Sequence, residues 1–300
     1  MDSSGTKTAA SRWLDWRLAL FILFAAGACL LLLNSVLDHL ERGSVAMRAA
    51  LVGGGTAAAA TALGTLPVLL SQQFSRRTYD SFLGFGAGVM LGATSFSLII
   101  PGLAAAKAGG AGAMQASVLV GLGVLAGAAL ILLLDHVVRD DPACLPVDRG
   151  EANSLRHAWM FVAAVALHNL PEGLAIGVAY AGPDIEKAHS LATGISIQDV
   201  PEGLVVALAL RTVGYSRLAA VGFGVASGLV EPVAAAFGVA LIGVSAGLLP
   251  IGLAAAAGAM LFVIVHDVIP ESHRRGNGMV ASSALVAGFI VMTILDTALG

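Results

Sequence analysis

Apolar residues run through this chain in long stretches, with polar residues gathered into short segments between them. Nine stretches, near 17–37, 46–70, 81–106, 113–138, 157–181, 188–210, 217–243, 247–271 and 279–299, each approach or exceed the roughly 20 residues needed to cross about 30 Å of hydrocarbon. They lack the polar alternation of barrel strands, so each predicts a helix, in which every backbone polar group bonds within its own segment. The expected fold is an all-α integral membrane protein.

Composition agrees. Charged residues make up 12 % of the chain, against about 25 % in soluble domains, which excludes a water-soluble fold. Glycine recurs beside alanine, as in Gly84-Phe85-Gly86-Ala87-Gly88 and Gly121-Leu122-Gly123, a spacing that lets helix backbones approach closely. No strand precedes these glycines, so they do not read as phosphate-binding loops. Cys29 and Cys144 stand far apart and imply no disulfide framework. The net charge of −3 comes without a basic, aromatic-interleaved stretch, which excludes nucleic acid as a partner.

Residues 1–16 form a polar tail with Lys7 and Arg12. The apolar run from Leu18 to Leu33 is longer than a signal-peptide core and reads as a retained helix. With the N-terminus inside, Arg42, Arg48, Lys107 and Lys187 fall outside and the other 12 of the 16 basic residues fall inside. That bias predicts a cytoplasmic N-terminus, an external C-terminus and a cytoplasmic loop near 138–156. The simplest organisation is one membrane domain over 46–300, preceded by an extra N-terminal helix and loop over 17–45.

Ionisable groups inside spans cost at least about 2.5 to 3.5 kcal/mol on insertion scales and usually mark a pathway. This chain concentrates such groups together with polar amides: His168, Asn169 and Glu172 in the fifth stretch, Gln198, Asp199 and Glu202 in the sixth, and Glu231 in the seventh. The first two sets belong to a repeat, since HNLPEGLAIGVA from His168 aligns with QDVPEGLVVALA from Gln198. Consecutive spans run antiparallel, so the repeat sets equivalent polar groups on facing helices at similar depth, an inverted-repeat relation. Spacings of three and four put each set on one helix face. Pro171 and Pro201 leave the carbonyls of Leu167 and Ile197 without a helical donor.

Four carboxylates together in a low-dielectric interior need protons or cations to neutralise them, and two divalent ions would do so. Imidazole, carboxylate and amide donors suit zinc and other first-row divalent metals better than calcium or magnesium. The bland alternative, interhelical hydrogen bonds between protonated acids, asks less of the sequence than it contains. His266, Asp267, Glu271 and His273 at the end of the eighth stretch read either as an exit path or as a solvated helix end. Met90 taken alone reads as packing. Asp38 with His39, Asp135 with His136, and Asp296 lie near span ends and read as solvated caps.

The paired HNLPEG and QDVPEG motifs, with Glu231 in the next span and HDVIPESH beyond it, closely resemble the ZIP (Zrt-, Irt-like protein) metal transporters, in a prokaryotic form. The resemblance covers about 46–300, the family's eight spans. It implies a binuclear site in which Met90, His168, Glu172, Gln198, Asp199 and Glu202 hold one ion. Asn169, Glu172, Asp199, Glu202 and Glu231 hold the second, so Glu172, Asp199 and Glu202 bridge the two. Gln198 stands where many relatives have His, which broadens the expected cargo from zinc toward cadmium, iron and manganese.

The resemblance further implies uptake across the cell inner membrane, a homodimer in the lipid bilayer, and elevator-like alternating access. In that motion the spans at 46–70, 157–181, 188–210 and 217–243 move against the other four. No catalytic cofactor is expected. A selective metal channel is the alternative, and an intramembrane metalloenzyme a weaker one, since no HExxH motif occurs.

Overall fold

A computed structural model describes residues 44–70, 75–139, 169–212 and 214–299. The expected tail, the first apolar stretch, the 138–156 loop beyond Arg139 and His168 lie outside the described residues. Within them the chain is all-helical: α1 (Val45–Leu70), α2 (Arg76–Ala108), α3 (Ala113–Arg139), α4 (169–181), α5 (Ile185–Thr212), α6 (Arg217–Val244), α7 (Ala246–His273) and α8 (Gly278–Leu299). Seven of these, all but α4, are long and apolar enough to cross a membrane. The eight helices match the second to ninth expected stretches, the fifth (157–181) only over its described part from residue 169. Several ends reach a few residues farther than the apolar runs, and the hydroxyls of Ser44 and Ser75 cap the extended starts of α1 and α2 by accepting from their first turns.

Prolines shape the helix interiors. In α2 and α7 the backbone widens into π-helical turns over Ala93–Ile99 and Ile264–Val268, and Pro101 and Pro270 lie just beyond. Each proline lacks a donor and crowds the carbonyl four residues back, which the wider turn accommodates. α6 expects one span and instead breaks at Leu229, dividing into Arg217–Gly228 and Val230–Val244. The cause is Pro232, which cannot donate to the Gly228 carbonyl. Glu231 thereby falls in the first turn of a half-helix.

The helices sort into two groups of four. α1 packs along α5 and α6. Gly173 and Gly177 of α4 take the backbone carbonyls of Glu231 and Ala235 of α6 against their bare Cα atoms. Gly53 of α1 likewise receives Tyr180 and Ile176 of α4. In the second group α8 lies along α2, α7 along α3, and α7 touches α2. Gly84, Gly88 and Gly288 bring α2 and α8 into backbone contact, and Gly127 and Gly258 do the same for α3 and α7.

The groups meet where α5 touches α2 and α8, and where Gly252 of α7 receives Val178 and Ile242. The core between them is filled by Met47, Ile176, Leu191, Ile195, Met260, Ile264 and Met292.

Helix contact therefore depends on missing side chains more than on added ones. A methyl group at Gly177 would overlap the Ala235 carbonyl, whereas Gly55 faces open space. Gly177→Ala should lower the melting temperature of the detergent-solubilised protein, consistent with an overpacking cost of about 1–3 kcal/mol. Gly55→Ala should leave it unchanged or raised. Equal melting of the two variants would show that backbone contact at this seam is not limiting.

Candidate metal centre

The two halves of the sequence repeat meet in space. Glu172 of α4 and Asp199 and Glu202 of α5 bring carboxylate oxygens within 4.8 Å of one another. Glu172 and Asp199 are buried and Glu202 half-buried. Gln198 joins them, its Nε2 donating to Glu172 Oε1 at 2.7 Å and to Asp199 Oδ1 at 2.6 Å. Its Oε1 faces Gly86 of α2.

Glu231 borders this cluster from α6, fully buried, with Asp199 facing it. Its Oε1 accepts from Thr61 Oγ1 of α1 at 3.2 Å and from Asn169 Nδ2 at 3.5 Å. The Asn169 amide also donates to the Ser227 carbonyl at 3.0 Å, in the turn where α6 breaks.

The second oxygens of Glu172, Asp199 and Glu231, and Oδ1 of Asn169, are buried without a hydrogen-bond partner among the described residues. All four are acceptors. Buried acceptors left without donors are costly, and like charges this close repel by about 4 kcal/mol per pair at an effective dielectric near 20. A cation answers both conditions at once, since it supplies positive charge and accepts lone pairs. The donor set of carboxylates and amides fits a divalent ion, with His168 beyond the described residues.

Met90 is buried one turn beyond Gly86 on α2, on the side that faces Gln198. The end of α7 is arranged differently. His266 is exposed and stacks on Phe262, with ring centroids 5.0 Å apart, and Asp267 is half-buried in the same π-helical turn. Glu271 pairs with Arg275 at 2.5 Å and Arg274 at 3.3 Å. His273 Nδ1 lies 3.0 Å from the Ile269 carbonyl and its Nε2 3.0 Å from Ser282 Oγ. None of these four residues belongs to the group of carboxylates formed by Glu172, Asp199 and Glu202.

Three polar features escape the sequence reading. Asp296 is buried, not a solvated cap: it accepts from Ser97 Oγ at 2.9 Å and pairs with Lys187 Nζ at 3.3 Å. Asp80, fully buried near the start of α2, holds Arg275 at 3.2 Å and Asn277 at 2.8 Å, with Arg275 over the Tyr79 ring. Thr61 is the third. A buried acid with a long-range partner leaves no periodic trace, and only the cost of a charge inside a span marks Asp296 and Asp80.

A helical membrane bundle with a buried carboxylate and amide cluster between two of its repeats is the build of a protein that handles cations within the bilayer. The ZIP zinc-transporter family profile matches residues 147–296. The chain is 46 % identical over 277 residues to zinc transporter ZIPB of Bordetella bronchiseptica, covering 92 % of this chain and 90 % of that one. It is 42 % identical to zinc transporter GufA of Myxococcus xanthus, over 85 % of this chain and all of the relative. Human zinc transporter ZIP11 is 32 % identical over 80 % of this chain and 94 % of its own length. The chain belongs to the ZIP family, whose members named here are transporters and not enzymes.

Neutralising one member of the cluster separates repulsion from ligation. Asp199→Asn should raise the melting temperature of the metal-free protein, by removing a buried like charge, and should abolish the stabilisation that cadmium ions give the wild type. A cadmium response at unchanged midpoint in Asp199→Asn would remove Asp199 from the ligand set.

Proposed function

We propose that this chain carries divalent transition-metal ions, zinc foremost, into the cytoplasm across the inner membrane. The observation that carries the reading is the buried Glu172, Asp199 and Glu202 cluster, with acceptor atoms that lack donors, in a chain whose relatives are named zinc transporters. Two ions share Glu172, Asp199 and Glu202. One is completed by His168, Gln198 and Met90, and the other by Asn169 and Glu231. An ion between Glu172 and Asp199 requires the Gln198 amide to rotate, because its NH₂ now occupies the gap between them. An amide oxygen in place of an imidazole lowers preference for zinc over harder ions, which extends the cargo to cadmium, iron and manganese.

Transport proceeds by alternating access. Among the described residues every proposed ligand except Met90 lies in the group formed by α1, α4, α5 and α6, which can therefore carry the ions as a unit against α2, α3, α7 and α8. Metal leaves past His266, Asp267, Glu271 and His273 as the carboxylates take up protons, since protons and metal compete for the same lone pairs. The excess of basic residues in the inner segments supports a cytoplasmic N-terminus and an external C-terminus. The family resemblance adds a homodimer.

Proteoliposomes containing the pure protein should accumulate zinc with saturation, and cadmium, iron and manganese to smaller extents. Glu172→Ala and Asp199→Ala should fall to the level of empty liposomes. Failure of wild type to move any of the four metals under any gradient would end the transporter reading, and uptake without saturation or counterflow would turn it toward a channel.

The relative motion has its own test at the contact of α5 with α8. A side chain at Gly194 would overlap the Met292 thioether, so Gly194→Cys with Met292→Cys removes the obstruction as it brings two thiols together. Oxidation should stop uptake and reduction should restore it. Full uptake by the oxidised pair would show that α5 does not slide on α8.

A further inference from the structure

We propose that Thr61 of α1 is a positioning residue for the metal centre, holding the Glu231 carboxylate so that one oxygen remains free for the cation. The inference rests on the transport reading and adds a helix that contributes no ligand to it. Thr61 is fully buried, 1 % exposed. Its Oγ1 lies 3.2 Å from Glu231 Oε1 and 3.3 Å from the Ala57 carbonyl oxygen. One hydroxyl proton serves two acceptors, so the bond to Glu231 competes with the ordinary back-bond of a helical threonine. The Asn169 amide approaches the same Oε1 at 3.5 Å. Both donors address one oxygen of Glu231, and the other, Oε2, is the atom without a partner among the described residues. The carboxylate is thereby oriented with a fixed side and an open side.

The backbone around Thr61 fixes this geometry. Gly203, the residue after Glu202, lies against the Thr61 carbonyl oxygen, and any side chain there would overlap it. Gly228, at the break in α6 three residues before Glu231, lies against the Thr61 Cβ, 3.0 Å from where its own Cβ would stand. Gly64, one turn along α1, meets the Val200 carbonyl in the same close manner. Thr61 is thus a point at which α1 touches two of the ligand-bearing helices, beside Glu202 on α5 and near Glu231 on α6. A displacement of Thr61 would be felt at both.

An outer partner of a metal ligand sets its orientation, and its loss weakens metal affinity by about 10- to 100-fold. Thr61→Val keeps the branched shape and deletes the donor. In proteoliposomes the variant should show a zinc KM raised about tenfold, the lower end of that range, with kcat unchanged, the signature of lost binding and not of lost translocation. Thr61→Ser, which restores the hydroxyl, should return KM to the wild-type value. The metal-free melting temperature of Thr61→Val should equal that of wild type, while the cadmium concentration giving half-maximal stabilisation rises about tenfold.

If Thr61→Val transports with wild-type KM and responds to cadmium as wild type does, the hydroxyl serves only the Ala57 carbonyl and the proposal is overturned. If Thr61→Ser raises KM as much as Val, shape and not the donor is responsible, and the proposal is again overturned. Should Thr61→Val fail to assemble, Thr61→Ala applies the same comparison with Thr61→Ser. Wild-type protein that neither moves zinc nor responds to cadmium would instead remove the transport reading on which this one depends.

Discussion

Everything in this bundle is organised around four clustered carboxylates, three of them buried and the fourth, Glu202, half-buried. Glu172, Asp199, Glu202 and Glu231 come from three helices, and three of their second oxygens are left without donors among the described residues. A protein that needed only a stable core would replace such groups with apolar side chains, since buried charges seldom repay their desolvation. Their retention makes sense where a cation of matching charge completes the site and is then released. Three donors seen among the described residues, the Gln198 and Asn169 amides and the Thr61 hydroxyl, are neutral. They orient carboxylates without cancelling charge, so the site keeps its attraction for a divalent ion. An arginine in place of any of them would neutralise the site permanently.

The glycine after each motif glutamate shows how the cluster is kept tight. Gly173 receives the Glu231 backbone and Gly203 the Thr61 backbone. Equivalent positions of the repeat therefore perform equivalent packing on different neighbours, and the acids beside them are drawn together by helix contact. Proline stands next to Glu172, Glu202, Glu231 and Glu271 alike. At Pro232 the outcome is visible as the break in α6, which sets Glu231 in a first helical turn, where backbone N–H groups favour negative charge. Glycine for close approach and proline beside the acid occur together at Glu172 and Glu202.

Much of this was legible in the sequence because the membrane simplifies the code. Apolar length alone yields α1 to α8, and an acid inside an apolar run stands out at once, so Glu172, Asp199, Glu202 and Glu231 are evident before any coordinates. The repeat brings the first three together without further information. What periodicity cannot express is partnership. Asp296 sits near a span end, where solvent is the usual company, yet Ser97 and Lys187 enclose it from two other helices. Asp80 depends on Arg275 and Asn277, nearly two hundred positions away. Thr61 looks like any threonine in a small-residue helix, and its meaning arises only from the acid opposite. The break in α6 was readable in principle from Pro232, but one proline in an otherwise continuous apolar run is easily absorbed into a single span.

The interface between the two helix groups differs in kind from the contacts within each. Inside the groups, glycines bring backbone against backbone where α1 meets α5 and α6, α4 meets α6, α2 meets α8 and α3 meets α7, contacts that do not slide without collision. Along the α5 contact with α8 the partners are instead side chains: Lys187 with Asp296, Ser190 Oγ with the Leu295 carbonyl at 3.4 Å, and the Met292 thioether against Gly194. Methionine is unbranched and adaptable, and one ion pair that is partly open to solvent exchanges readily for water. Gln198 faces α2 at Gly86, which has no side chain of its own to stand in its way. If one group carries the ions past the other, rigidity is needed within the carrier and smoothness along its track, and the distribution of glycine backbone contacts and adaptable side chains follows that division.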